Sequence, residues 1–217
     1  MGEPVSRETP APDWWLREYQ QNDLKIKRFV DLLATAGVER GLIGPREASR
    51  LWERHIANCA VLSPLFLAGV SIADVGSGAG LPGIVVALAR PDLQVTLIEP
   101  LLRRTTFLTE AIEQLDLPNV TVVRARAERL HGTHVFDVVT ARAVAPLDRL
   151  VTWCWPLVKP GGELVAMKGE TAADEVASHA ARLGRLPDAG VPRVERLGMG
   201  IIEPLTTVVR IQSQPRP

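Results

Sequence analysis

Two carboxylates and a run of glycines are the residues of this chain best suited to chemistry. In Asp74-Val75-Gly76-Ser77-Gly78-Ala79-Gly80, three glycines fall within five residues, directly after the run Ile72-Ala73-Asp74-Val75. Glycines at that density let the backbone come close to a ligand. Glu99 closes a second apolar run, Val95-Thr96-Leu97-Ile98. A carboxylate there can accept both hydroxyls of a ribose. Gly78, Gly80 and Gly83 also spell G-x-G-x-x-G, which alone is weak evidence for NAD or FAD. The charge pattern separates the candidates. A pyrophosphate wants donors at a glycine loop, whereas Asp74 is an acceptor two residues before the first glycine. It is placed for an ammonium. S-adenosylmethionine carries an ammonium, a sulfonium and a ribose but no phosphate, and it suits Asp74, the glycines and Glu99 better than a dinucleotide does.

These residues need a scaffold, and the chain supplies the pattern of one. Five apolar runs read as strands: 72–75, 95–98, 120–123, 135–139 and 163–167. Helical stretches Ile84 to Ala89, Leu101 to Leu115 and Pro146 to Leu157 separate them. Strands alternating with helices imply a parallel sheet covered on both faces. Arg193 to Gly198 and Thr206 to Ile211 read as two closing strands that can form an antiparallel hairpin. The expected fold is α/β and Rossmann-like, a seven-stranded, mostly parallel sheet over residues 69–217. Residues 1–68 form an N-terminal helical extension. There, apolar positions from Trp15 to Leu33 recur at helical spacing, and a second helix starts at Pro45 with Leu51 and Ile56 facing inward. Residues 1–12 are polar, with Pro4, Pro10 and Pro12, and read as loose.

In such a sheet the ligand crevice lies beyond the carboxyl ends of the strands. Ala127 and Glu128 follow the third strand, where an adenine edge could bind. Arg142 follows the fourth strand and faces the crevice, so a functional role is expected. Lys168 ends the fifth and could contact substrate by the same argument. Arg46, Arg50 and Arg54 recur every four residues, but the interleaved Glu47 and Glu53 favour a solvated face over an RNA stripe. His55 reads as a core hydrogen-bonding residue or a substrate contact. Arg103 and Arg104 could reach a phosphate or pair acids. Cys154, between Trp153 and Trp155, reads as a buried small hydrophobe. His131 and His134 lack a Cys or carboxylate to complete a metal set, and no metal is expected.

The chain has 217 residues, with 25 Lys plus Arg balanced by 25 Asp plus Glu. Zero net charge gives no global field to gather naked nucleic acid and argues against a nonspecific RNA coater. Four of the cations are lysine, so arginine dominates. Two cysteines make no disulfide framework, and no apolar run is long enough for a membrane span. A cytoplasmic monomer with no membrane association is expected.

Taken together, the Gly76–Ile84 loop with its Leu81-Pro82-Gly83-Ile84 extension, Thr140-Ala141-Arg142-Ala143, Trp153-Cys154, Met167-Lys168-Gly169 and the upstream Arg54-His55-Ile56 resemble the RsmG (GidB) family. The resemblance covers approximately residues 45–170. It implies methylation of a guanine N7 in 16S ribosomal RNA of the bacterial small subunit, with S-adenosyl-L-methionine as cofactor and the subunit as partner. It further implies that Gly76 and Leu81 line the cofactor pocket, that Ala127 and Glu128 contact adenine, and that Arg142 sits at the mouth between cofactor and substrate. Arg54, His55 and Lys168 are the expected substrate contacts. The chain departs from the family with Asn58-Cys59 and Glu99-Pro100, where many members have Asp-Ser. A small-molecule methyltransferase, an NAD-dependent oxidoreductase and a binding module without catalysis remain open as alternatives.

Overall fold

The structure, a computed structural model, describes residues 12–19 and 22–215. The stretch read as loose lies almost wholly outside the described residues. α1 (Asp13–Tyr19) and α2 (Asp23–Leu32) realise the first helical pattern, and α2 runs on into a wider π-type turn, Leu33–Gly37. The second helix starts where expected, with Gly44 extended and Pro45 at the first helical position. It is not one winding, however. Pro45–Arg50 is 3-10, Leu51–Ile56 is π, and only α3 (Ala57–Ala60) is α-helical. The wide turn brings Leu51, Trp52 and Ile56 all into the core. In the 3-10 turn, residues three apart eclipse, so Arg46 and Arg50 do not form a single stripe.

The sheet contains β1 (Ser71–Val75), β2 (Gln94–Ile98), β3 (Val120–Val123), β4 (Phe136–Arg142), β5 (Val158–Lys168), β6 (Arg193–Leu197) and β7 (Thr206–Gln212). Their order is β3-β2-β1-β4-β5-β7-β6. The first five are parallel, and β7 runs antiparallel to both β5 and β6. Lys159-Pro160-Gly161-Gly162, read as a turn feeding the fifth strand, is part of β5, and the register shifts beside it. Between the strands lie α4 (Gly83–Ala89), α5 (Leu102–Leu115), α6 (Leu147–Cys154), α7 (Ala172–Ser178) and α8 (Ala180–Leu183).

Strand side chains alternate between faces, and this alternation builds two cores. Ile72, Val95, Leu97, Val138 and Val165 pack with α4, α5 and the N-terminal helices, including Trp15, Ile26, Phe29 and Ile56. Ala73, Val75, Ile98, Val139 and Leu164 pack with α6 and residues of α7 and α8. The N-terminal helices therefore share a core with one face of the sheet rather than packing by themselves. No helix among the described residues is long and apolar enough to cross a membrane.

β1 lies between β2 and β4, so the chain leaves β1 to one side and returns on the other. That reversal opens a crevice at the carboxyl ends of the strands.

Candidate active site

Two hollows open along this edge, separated by the turn after β4. The smaller, of about 270 Å³, is walled by Val75, Gly76, Ile98, Ala127, Val144 and Trp153, with exposed Arg126 and Glu128 at hand. The larger, of about 610 Å³, is lined by Glu47, Arg54, His55, Arg142 and Lys168, with Thr206 and Thr207 from β7. Ala143 holds φ at 52°, a left-handed conformation uncommon for a residue with a Cβ. The chain reverses there, so that Arg142 faces the larger hollow and Val144 the smaller.

The glycine loop is tied down by the two carboxylates singled out in the sequence. Asp74 is fully buried, and its Oδ2 accepts from the Gly83 N–H at 2.9 Å. A Cβ at Gly83 would strike Leu97 and come 2.7 Å from that Asp74 oxygen, so the approach requires glycine. Asp74 Oδ1 is buried and has no hydrogen-bond partner among the described residues. Burial pushes the Asp74 carboxyl up to about 7, despite the Gly83 N–H. Glu99, also buried, accepts from the Gly78 N–H at 3.0 Å and from the Leu101 N–H at 3.1 Å, with Arg104 at 3.4 Å. Gly76 takes φ of 71°, and a Cβ there would lie 2.8 Å from Val144. The strand end and the opposing turn thus close on each other over glycine alone.

On the other side of the turn, a hydrogen-bonded chain runs from the N-terminal segment to the end of β4. Glu47 Oε2 meets His55 Nε2 at 3.0 Å, and His55 Nδ1 meets an Arg142 terminal nitrogen at 2.5 Å. A guanidinium only donates. Nδ1 must therefore accept, and the ring proton sits on Nε2, donating to Glu47. Burial, and next the Arg142 charge, hold His55 below the usual histidine value, so the imidazole is neutral near pH 7. The second terminal nitrogen of Arg142 donates to Cys59 Sγ at 3.2 Å, and burial pushes that thiol up and keeps it protonated. Lys168 donates to Glu175 at 2.7 Å and to the Ala145 carbonyl at 3.1 Å.

The structure distributes the residues singled out in the sequence between the two hollows and the glycine loop. Gly76, Ala127 and Glu128 wall the smaller hollow, and Arg54, His55 and Lys168 the larger. Arg142, expected among the cofactor contacts, lines the larger hollow because it shares the face of β4 that looks toward His55 and Cys59. Asp74 lines neither hollow: its carboxylate points under the loop to Gly83. Gly78 and Glu99 engage each other, while Gly80 and Leu81 turn toward Ile84 and the first core. Val144, Trp153 and Glu47 were not singled out as site residues. Val144 could have been found from the rule that loops after strand ends face the crevice. Nothing in the sequence marks Glu47 as the partner of His55. His131 hydrogen-bonds the Trp153 carbonyl. No cluster of three or more potential metal ligands occurs among the described residues.

The strand order, the switch-point crevice and the glycine loop define the class I methyltransferase fold. The same fold is seen in a precorrin-6y C5,15-methyltransferase from Geobacter metallireducens, with a TM-score of 0.55 at 14% identity, covering 80% of this chain and 91% of that one. It is seen again in an O-methyltransferase of Streptomyces achromogenes involved in tomaymycin synthesis, solved in complex with SAM, with a TM-score of 0.52 at 17% identity over 73% and 79% of the two chains. Residues 22–186 match the GidB family, described as rRNA small subunit methyltransferase G, and the chain belongs to that family. Its relatives include the ribosomal RNA small subunit methyltransferases G of Streptomyces avermitilis, 55% identical over 94% of this chain and 85% of that one, and of Salinispora arenicola, 57% identical over 87% and 83%.

Proposed function

We propose that this protein methylates N7 of a guanine in 16S ribosomal RNA of the small subunit, with S-adenosylmethionine as donor. The observation that carries the reading is the pair of adjoining hollows: an apolar one over a carboxylate-backed glycine loop, and a polar one beyond Arg142. Apolar walls of Val75, Ile98, Ala127, Val144 and Trp153 suit an adenine. Glu99, at the end of β2, suits ribose hydroxyls once Gly78 releases it. Asp74, buried beneath the loop and outside both hollows, acts on the donor through the shape it gives the loop at Gly83. A pyrophosphate in the same place would find Glu99 already on the Gly78 N–H that it needs, with Asp74 buried beneath the loop, which argues against a dinucleotide.

The bound donor supplies a sulfonium-activated methyl group, open to an in-line attack by an aligned lone pair. Guanine N7 has such a pair and no proton to lose, so no general base is required. The polar hollow agrees with that demand. His55 is engaged at both ring nitrogens and Lys168 is tied to Glu175, so neither stands free to take a proton. What these residues can do is hold a base in one orientation, and orientation is the larger part of catalysis in such a transfer. Arg142, fixed from behind by His55 and Cys59, is the residue best placed to do so.

The test is methyl transfer to ribosomal RNA from a strain lacking the gene, followed by mass mapping. One guanine methylated at N7 is expected. Label entering small molecules but not RNA would move the protein to another methyltransferase class. Tight binding of NADH with none of S-adenosylhomocysteine would overturn the cofactor reading.

A further inference from the structure

We propose that a basic hollow beside the cofactor cleft, walled by Arg124, Arg126 and Arg129, docks phosphates of the RNA that carries the target guanine. This rests on the function proposed above and extends it to a surface outside both hollows of the active site.

The local chain explains how three arginines share one concavity. Arg124 and Arg126 flank a bend at Ala125 just beyond β3, where the Ala125 N–H bonds the Val123 carbonyl at 3.0 Å, and both line the same hollow. The 3-10 turn Ala127–Arg129 then folds back, with the Arg129 N–H on the Arg126 carbonyl at 3.0 Å. The hollow they line measures about 670 Å³ and includes Pro100, Ala125 and Glu128. Pro100, Ala125, Arg126 and Glu128 also wall the smaller hollow of the active site, so the two are continuous.

Charge points to the occupant. All three arginines are exposed, and none pairs with a carboxylate among the described residues. Arg54 and Arg104, by contrast, are engaged by Glu47 and Glu99. The wall holds three cations against the one carboxylate of Glu128, in a chain whose net charge is zero. Unpaired guanidinium forks match phosphate oxygens in geometry as well as charge.

Distance also fits. From β5, at the larger hollow, to β3 is four steps across the sheet, or ~19 Å at ~4.8 Å per strand. At ~3.4 Å per nucleotide of a stacked strand, roughly six nucleotides cover that span. One RNA segment can therefore place a base beyond Arg142 and lay its backbone on the arginine wall.

The test is the double variant Arg124→Gln/Arg129→Gln, because neither residue lines the cofactor hollow. At ~150 mM salt its KM for the small subunit should rise about tenfold, with kcat and S-adenosylhomocysteine affinity unchanged. The slope of log affinity against log salt should fall by about 1.4, or ~0.7 for each phosphate no longer neutralised. Arg124→Lys/Arg129→Lys should keep most of the affinity. An unchanged KM and slope would overturn the proposal. So would a raised KM with the full salt slope, which would make the partner a protein surface. Direct binding of a ribosomal RNA fragment separates the two readings. A wild-type chain that binds RNA through these arginines but methylates nothing would overturn the function and keep the docking site. A methylating chain whose double variant binds RNA equally would overturn the docking site alone.

Discussion

The two hollows of the active site are built by opposite means. In the smaller hollow, proposed for the cofactor, the glycine loop that forms its floor is local: Asp74 and Gly83 close a ten-residue loop on itself, and Glu99 clips it at Gly78. The larger hollow, proposed for the substrate, is assembled from afar. Arg142 meets His55 across 87 residues, and the Thr206 hydroxyl donates to Asn58 in the same wall across 148. A local site is rigid because its own sequence dictates its turn. A distant one is rigid only while the whole fold holds its parts together, and here the N-terminal helices do that holding.

Gly83→Ala should give the largest effect, because the added methyl has no room between Leu97 and Asp74. Overpacking of this kind costs about 1–3 kcal/mol, and urea unfolding should show it along with loss of S-adenosylhomocysteine binding. Arg142→Ala tests the other side. Its kcat/KM on the small subunit should fall about 100-fold, or ~2.7 kcal/mol, with cofactor affinity within about threefold of wild type by calorimetry. Equal losses of cofactor affinity and turnover would erase the distinction between the two hollows.

Asp74→Asn sharpens it. The folded carboxyl keeps its proton up to about pH 7, whereas an unfolded aspartate releases it near 4. The wild-type chain therefore loses stability as pH rises from about 4 to about 7. The asparagine variant should escape that loss, gaining about 1–3 kcal/mol at pH 8 without cofactor while binding S-adenosylhomocysteine more weakly. A variant no more stable than wild type at pH 8 would mean that Asp74 is not strained by its burial. His55→Gln should have the smallest effect. His55 resists protonation in the fold, so stability falls as pH drops below ~6.5. Removing the ring should lessen the drop in Tm between pH 7.5 and pH 5.5 by about 1–2 °C.

The same contrast governs what could be read from the sequence. The strands, the helices between them and the glycine loop were legible because each is set by periodicity or by backbone demands within a few residues. β6 and β7 were visible as two strands. That β7 enters between β5 and β6 was not, since a hairpin pairs internally whichever strand lies inside. Glu47 read as part of a solvated face because a helix of uniform pitch would leave it there. The change from 3-10 to π winding over Pro45–Ile56 instead turns it toward His55. Asp74 was located correctly at the end of β1. Its hydrogen bond to Gly83 depends on a close approach between loop and strand that residue types alone do not reveal.

Trp15, Ile26 and Phe29 pack in the same cluster as Ile72, Leu97 and Val165. A fragment starting at β1 would bare that greasy side of the sheet to water and, in the same stroke, forfeit the wall that steadies Arg142. Removing the helices before β1 therefore offers no route to a minimal catalyst: whatever cuts them away also takes the keel from under the sheet.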